Sequence, residues 1–413
     1  MAPDPVRRNL PATARAGILV LITGLGVSVP ATVHADEVRD RQWHLDFLGI
    51  AEAHEISRGE GVTVAVLDSG VDHRHPDLKG ALLEGRNFSG GRRDGWEDAD
   101  GHGTAMASLV AARGHGQGHR AGVLGVAPAT KILPVRTDSG GVTNSRGLEQ
   151  GVRWAADHGA DVLSISQGWF DDPAIQESID YALGEGAIIV AGAGNTAKGD
   201  DEVMAPARYP GVIAVSGTDP DGNFSTASVS GVQVVLSAPG TSVHAAAANL
   251  GYGSGTGTSP ATAIVAGVAA LVKARYPDLD AANVINRLIS TAEDRGPKGR
   301  DPRYGYGIVD PVAALTRDIP RVRGNPLVAP SAPTAVRTAP GQPGTVASGI
   351  GPGGWGLITV GTLGVLTLTV TALTGLVRRR RPRTTRCHGM PDTRGKATHA
   401  PPGASPPRES PPG

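Results

Sequence analysis

The chain has 413 residues, 39% hydrophobic and 19% charged, enough apolar material to bury a substantial core; a chain disordered throughout is excluded. Lys and Arg number 39 and so do Asp and Glu, so no net field favours nucleic acid, which is not expected as a partner. Gly is abundant at 59 and aromatics are scarce at 4%, as in proteins rich in tight turns, and the single cysteine, Cys387, has no partner for an intramolecular disulfide.

In chain order, Arg7 and Arg8 precede an apolar stretch at 16–29 and the small-residue sequence Val33-His34-Ala35. That order describes a secretory signal peptide, so residues 1–35 are expected to be removed on export. From 36 to 317, short β-branched runs alternate with longer helical patterns. GVTVAVLD (61–68), KILPVR (131–136), DVLSIS (161–166), AIIVAG (187–192) and VIAVSG (212–217) predict buried strands bounded by Gly or polar residues. SRGLEQGVRWAADHG (145–159) and PAIQESIDYALGEG (173–186) predict helices between them. The alternation predicts an α/β fold, an open and mostly parallel central sheet with helices on both faces, whose ligands gather at the carboxyl ends of the strands.

Residues 318–354, rich in Pro, Ala, Ser and Gly, cannot build a core and are expected to form a semi-extended linker. The uncharged stretch 355–377 would span about 34 Å as a helix, enough to cross a bilayer. Arg378 to Arg381, Arg383 and Arg386 follow at once, and such a cluster holds its flank in the cytoplasm. Together these features predict a single-pass membrane protein, with domain 36–317 outside the cell and a basic, then Pro-rich tail, 378–413, inside.

Three segments of the globular part carry potential chemistry. Asp68 ends an apolar strand and enters a Gly-containing turn, where an Asp also serves as a turn cap. His102 opens a helix between Gly101 and Gly103, which leave room for another chain to approach. Ser259, in GSGTGTSPATA (253–263), begins a helix with Pro260 in its first turn, and fits a plain N-cap as well. Taken together the three supply an acid to orient, an imidazole to move a proton and a hydroxyl to attack. A serine hydroxyl is a poor nucleophile near neutral pH, so it needs a base within hydrogen-bond reach, and the base needs a buried carboxylate to fix its tautomer. Asp, His, Ser is one of the chain orders in which that relay occurs.

LDSGVDHRHPDL, GHGTAMASLVAA and GTGTSPATAIVAGVAALV resemble the three catalytic segments of the subtilisin-like serine peptidases. GVLGVAPATKILPVR, VLSISQG, AGAGN and YPGVIAVSGT match further, in that family's order, over 38–315. The resemblance implies a subtilisin-like three-layer fold, cleavage of peptide bonds through an acyl-enzyme, and a triad of Asp68, His102 and Ser259. Asn195 stands where an Asn otherwise serves as a left-handed turn residue; by the resemblance it supplies a side-chain N–H to the oxyanion, with the backbone N–H of Ser259 as second donor. Ser166, Gln167 and Gly168, with Ala193 and Gly194, match segments that bind substrate, the peptide adding as a strand. Gly255 and Gly257 are expected to let the loop bring Ser259 to the scissile carbonyl. No cofactor or metal is expected: His73 and His75 lie inside the D-S-G motif and residues 113–120 read as a solvated loop, while Asp98 and Asp100 face either a basic substrate side chain or water, and water is expected.

Two features depart from the family pattern. Many members have Ser-Met-Ala-x-Pro at the nucleophile, whereas here the proline, Pro260, directly follows Ser259. About thirty residues separate the predicted signal cleavage from Asp68, too few for the folded inhibitory prodomain that many relatives carry. That short segment and the C-terminal span together resemble the mycosins, the membrane-anchored subtilases of actinobacterial type VII secretion systems. This resemblance implies a type VII secretion complex as a partner beside a protein or peptide substrate. The alternatives are a general cell-surface subtilase and a structural subunit of a secretion complex with little proteolysis.

Overall fold

The run TVAVLD forms strand β1 (Thr63–Asp68), and its last five residues are all buried, so both of its faces are covered. The computed structural model describes residues 35–328, apart from 92, 93, 99, 140 and 141. After β1 come β2 (Arg86–Asn87), the hairpin β3 (Arg113–His115) and β4 (Ala121–Leu124), β5 (Lys131–Arg136), and the small hairpin β6 (Asp138–Ser139) and β7 (Val142–Thr143). Then follow β8 (Val162–Ile165), β9 (Ile188–Gly192), β10 (Ile213–Thr218), β11 (Val234–Pro239), and the hairpin β12 (Val243–Ala247) and β13 (Gly251–Gly255). The helices are α1 (Ala35–Asp40), α2 (Trp43–Phe47), α3 (Ile50–His54), α4 (His102–Ala111), α5 (Ser145–Asp157), α6 (Pro173–Gly184), α7 (Thr258–Arg275), α8 (Ala281–Thr291) and α9 (Pro311–Thr316).

Among the described residues, seven strands make one sheet in the order β11-β10-β9-β8-β1-β5-β2, each neighbouring pair parallel. Every residue of β8, β9, β10 and β11 is buried, which requires cover on both faces. Helices α4 and α7 pack on each other and on the sheet, and α5, which lies against β1 and β5, pairs with α6. This is the α/β architecture with a parallel central sheet that the sequence predicts, and each predicted strand belongs to it. Strand β11 and the two-residue β2 join without having been expected. Because β1 lies between β5 and β8, the direction in which strands are added reverses there, and a crevice opens beyond their carboxyl ends.

Helix α7 is buried from Thr258 to Val272 and runs against β8, β9, β10 and β11. A helix so enclosed has no polar face, and small residues let its neighbours close on it. At Gly267 an added Cβ would lie 2.8 Å from Val126 Cβ.

The N-terminal segment is fastened to the β3–β4 hairpin. Gln42 Nε2 donates to Leu124 O at 3.0 Å and its Oε1 accepts from Leu124 N at 2.8 Å, while Arg39 Nε donates to Gly122 O at 3.1 Å. At the other end the chain stays on the domain beyond α9. Val322 N donates to Asn283 Oδ1 at 2.8 Å, and Asn325 Nδ2 to Gly211 O at 3.1 Å, just before β10 begins. The packed chain thus extends into 318–328, the start of the expected linker, because the Asn283 side chain pairs with its backbone and its own Asn325 side chain bonds the domain. Among the described residues no helix is long and apolar enough to cross a membrane. Residues 1–34 of the predicted signal segment, the span 355–377 and the tail 378–413 lie outside them.

The Gly267–Val126 contact is testable. Gly267→Ala is expected to cost about 1–3 kcal/mol of stability, and Val126→Ala in the same chain to recover part of it, read from denaturant midpoints.

Candidate active site

Strand β1 carries Asp68 to its carboxyl end and buries it to 1% exposure, so the carboxylate depends on donors from within the protein. Oδ1 accepts from Ser69 N at 2.8 Å and from His102 Nδ1 at 2.8 Å, while Oδ2 is buried with no partner. Since a carboxylate only accepts, Nδ1 is the donor, and in the neutral ring Nε2 is left as an acceptor. The Asp68 charge raises the pKa of His102 to about 9, burial opposing it. The imidazole side chain is 39% exposed, at the mouth of the crevice.

What brings His102 to Asp68 is the start of α4. Its N-cap, Gly101, sits at φ 88, and an added Cβ at Gly103 would lie 2.0 Å from Gly70 O, an approach only glycine permits. Asp98 then straps the helix start to the loop after β1. Its Oδ1 accepts from Gly101 N at 2.9 Å and Ser69 Oγ at 2.8 Å, and its Oδ2 from the Thr104 N–H at 2.8 Å and the Thr104 hydroxyl. Asp98 is half-buried, and both of its oxygens are taken up by donors of the fold, where the sequence led one to expect water as their partner. Asp100 is exposed and accepts from His102 N at 2.9 Å.

Ser259 is the second residue of α7 and is 7% exposed. Its hydroxyl donates to Ser166 O at 3.4 Å and is turned to that carbonyl, not to the imidazole. His102 and Ser259 nevertheless line one cavity, of about 430 Å³, with Pro260 beside them. Gly257, the N-cap of α7, has φ 147, and a Cβ there would lie 2.6 Å from Asn195 Oδ1. At Gly255 the nearest atom is Pro260 Cγ at 3.7 Å, an ordinary contact, so the close approach requires Gly257 and not Gly255.

Asn195 is oriented through its acceptor. Oδ1 accepts from Thr258 N at 2.8 Å, which leaves Nδ2 as the free donor of the amide, and the backbone N–H is held by Asp200 Oδ2 at 2.7 Å. The backbone N–H of Ser259 lies in the first turn of α7, where amides have no partner within the helix. Asn195, Ser166, Gln167, Gly168 and Gly194 line a second cavity of about 170 Å³ that also meets His102. Ala193 is set behind it: fully buried, with its N–H donating to Val215 O at 2.9 Å and its carbonyl accepting from Met204 N at 3.1 Å. The Gln167 side chain is engaged as well, between Thr137 and Asp138.

Asp138 lines the same cavity, a residue that the sequence reading did not single out. Burial first, then the charges of Asp68 and Asp100, push its pKa up to about 6. The available signal was its place just past KILPVR, beside the end of β1. His73 Nδ1 meets Trp96 O at 3.3 Å and His75 Nε2 meets Gly251 O at 3.1 Å, and His115, from the segment read as a solvated loop, contacts Asp77. Among the described residues no group of three or more His, Cys, Asp or Glu is placed to hold a metal ion. None of residues 35–58 lines either cavity at His102.

An imidazole on a buried acid, a hydroxyl at a helix start and an amide donor, gathered at the strand ends of a parallel sheet, have the layout of a serine peptidase. Residues 59–307 match the model of the Subtilase family, and the chain belongs to that family of serine peptidases. Within it the likeness extends to the mycosins. The chain is 34% identical to Mycosin-1 of Mycobacterium tuberculosis over 70% of its own length and 76% of that protein's, and 35% identical to Subtilisin DY of Bacillus licheniformis over 62% and 92%. Its structure matches the crystal structure of MycP1 from Mycobacterium smegmatis with a TM-score of 0.63 at 32% identity, covering 74% of this chain and 91% of that one. A structure of MycP1 described as from the ESX-1 type VII secretion system gives 0.62 at 33% identity, over 73% and 90%.

The Asp68–His102 contact makes a direct prediction. By NMR the His102 ring should titrate above the ordinary histidine value of about 6.5, and Asp68→Asn, which removes the charge holding the proton, should lower it.

Proposed function

We propose that the chain is a membrane-anchored, extracellular serine endopeptidase associated with type VII secretion, with Asp68, His102 and Ser259 as its catalytic triad. The observation that carries this reading is the 2.8 Å contact of His102 Nδ1 with buried Asp68, at a cavity that Ser259 also lines. In the reaction, which needs the form with a neutral His102 ring and is therefore favoured as pH rises, the Ser259 hydroxyl rotates from Ser166 O to Nε2 of His102. Oγ attacks the scissile carbonyl carbon as the imidazole takes its proton, and Asp68 stabilises the imidazolium and keeps the ring's tautomer. Asn195 Nδ2 and the Ser259 N–H donate to the developing oxyanion. His102 then returns the proton to the leaving amine, and water, activated by the same base, hydrolyses the acyl-enzyme. Pro260 lacks an N–H, but no donor is asked of it. Ser166, Gly168 and Gly194 lie where the backbone of an added substrate strand would pair.

Membrane attachment through 355–377, removal of 1–35 and a secretion complex as partner rest on the sequence pattern and on likeness to the mycosins. On this reading the tail 378–413 is cytoplasmic and the linker between domain and span is the part of 318–354 beyond the packed segment.

Ser259→Ala is expected to abolish both peptide cleavage and covalent labelling by a fluorophosphonate, and unchanged cleavage would overturn the assignment. Asn195→Ala is expected to lower kcat about 10² to 10³-fold with little change in KM, the loss seen when the matching donor of subtilisin is removed. Deleting residues 355–413 should move the labelled protein from the membrane fraction to the soluble fraction, measured by sedimentation of lysed cells.

A further inference from the structure

A second buried carboxylate stands beside the triad. Asp138 follows β5, the neighbour of β1, and is 7% exposed. Its Oδ2 accepts one hydrogen bond, from Gln167 Nε2 at 3.0 Å. Gln167 is itself held, its Oε1 accepting from Thr137 Oγ1 at 3.0 Å, so the amide is fixed with its N–H side to the carboxylate. Oδ1 is buried and has no partner among the described residues.

No cationic side chain among the described residues pairs directly with this carboxylate, and His102 acts on it only through the field. Arg136 sends Nε to the backbone carbonyl of Asp138 at 3.3 Å and Nη1 to Glu97 O at 3.3 Å, passing the carboxylate by. Lys198 borders the same cavity without pairing with Asp138, and Asp100 and Asp200 border it too, so carboxylates prevail there. A buried carboxylate with one neutral donor is unfavourable until a counter-charge reaches it. An Asn at this position could still accept from Gln167, so the fold's own hydrogen bonding does not demand the charge. Burial and repulsion by Asp68 and Asp100 raise the Asp138 pKa to about 6, with His102 opposing, and at neutral pH the group is mostly ionised. The cavity it lines is the one walled by Ser166 to Gly168, the side on which the acyl portion of a substrate strand would lie.

Resting on the peptidase reading above, we propose that Asp138 is a specificity-determining residue whose unpartnered oxygen selects substrates with a lysine or arginine on the N-terminal side of the scissile bond. A cationic side chain entering the cavity brings the counter-charge that the Asp138 carboxylate lacks, while Gln167 keeps the carboxylate from turning away. Norleucine, which has the four side-chain carbons of lysine without the ammonium, brings no counter-charge.

The test uses the full-length protein in detergent. Peptides carry lysine, arginine, ornithine, norleucine or glutamate at each of the four positions before the cleaved bond, and fluorophosphonate labelling counts active sites independently. At one of these positions the wild type is expected to cleave the lysine or arginine peptide with a kcat/KM at least about tenfold above norleucine. Asp138→Asn should bring that ratio towards one in labelled enzyme. Asp138→Glu, which keeps the charge and carries it one methylene further, should shift the optimum from lysine towards ornithine, and it serves if the Asn variant does not fold. A ratio near one in labelled wild type overturns the proposal, and so does a preference that survives Asp138→Asn or an optimum unmoved in Asp138→Glu. Wild type that neither labels nor cleaves overturns the peptidase reading itself and this proposal with it.

Discussion

A hydrogen bond between an imidazole and a buried carboxylate, His102 to Asp68, is the interaction that the surrounding polar structure serves. Neither partner is held by its own element alone. Asp68 ends a strand locked in register between β5 and β8, with Leu67 opposite both Val135 and Ile165. His102 begins a helix whose first turn would otherwise present amides with no partner. Asp98 takes up that slack: its two oxygens bind the Gly101 and Thr104 amides, the Thr104 hydroxyl and the hydroxyl of Ser69, next to Asp68 in the chain. One acid tunes the ring and a second fixes the helix that presents it. In a site of low polarity both contacts act more strongly than they would in water.

The same crevice separates two carboxylates by environment. Asp68 and Asp138 lie at or just beyond the ends of adjacent strands and both are nearly fully buried. The first has an imidazole against it, and the second has only a neutral amide. Neighbouring acids whose surroundings differ in this way commonly divide their roles. Each also keeps one oxygen bare, so the carboxyl ends of the central strands concentrate negative potential. The Ser259 hydroxyl, at the border of the same crevice, is turned to Ser166 O.

Much of this was legible in the sequence, and the reason is local. Strands β1, β5, β8, β9 and β10 are unbroken apolar runs between Gly or polar residues, the pattern of a strand covered on both faces. The reading lost β11, whose VVLSAP ends in a proline, and the β12–β13 hairpin, whose HAAA and GYGSG carry no alternating signal. The triad segments were visible because each element end bears its own glycine punctuation. The environments of Asp98 and Asp138 were not, since Ser69, which ties Asp98 to the loop after β1, and Gln167, which holds Asp138, each stand 29 residues away, and acid side chains in loops ordinarily meet water. Ala193 fails for the opposite reason: neighbours share a motif, but adjacent residues on an extended chain point to opposite sides, and Gly194 takes the open one.

The point at which the chain leaves the domain has a mechanical consequence. Asn325 and Leu327 are fastened to Gly211, ahead of β10, at the amino-terminal rim of the sheet, whereas the reacting groups occupy the opposite rim. A pull transmitted along the polypeptide from beyond Val328 therefore loads the base of the scaffold first. It would strip a few peripheral hydrogen bonds before any strain reached the acid, the ring or the alcohol.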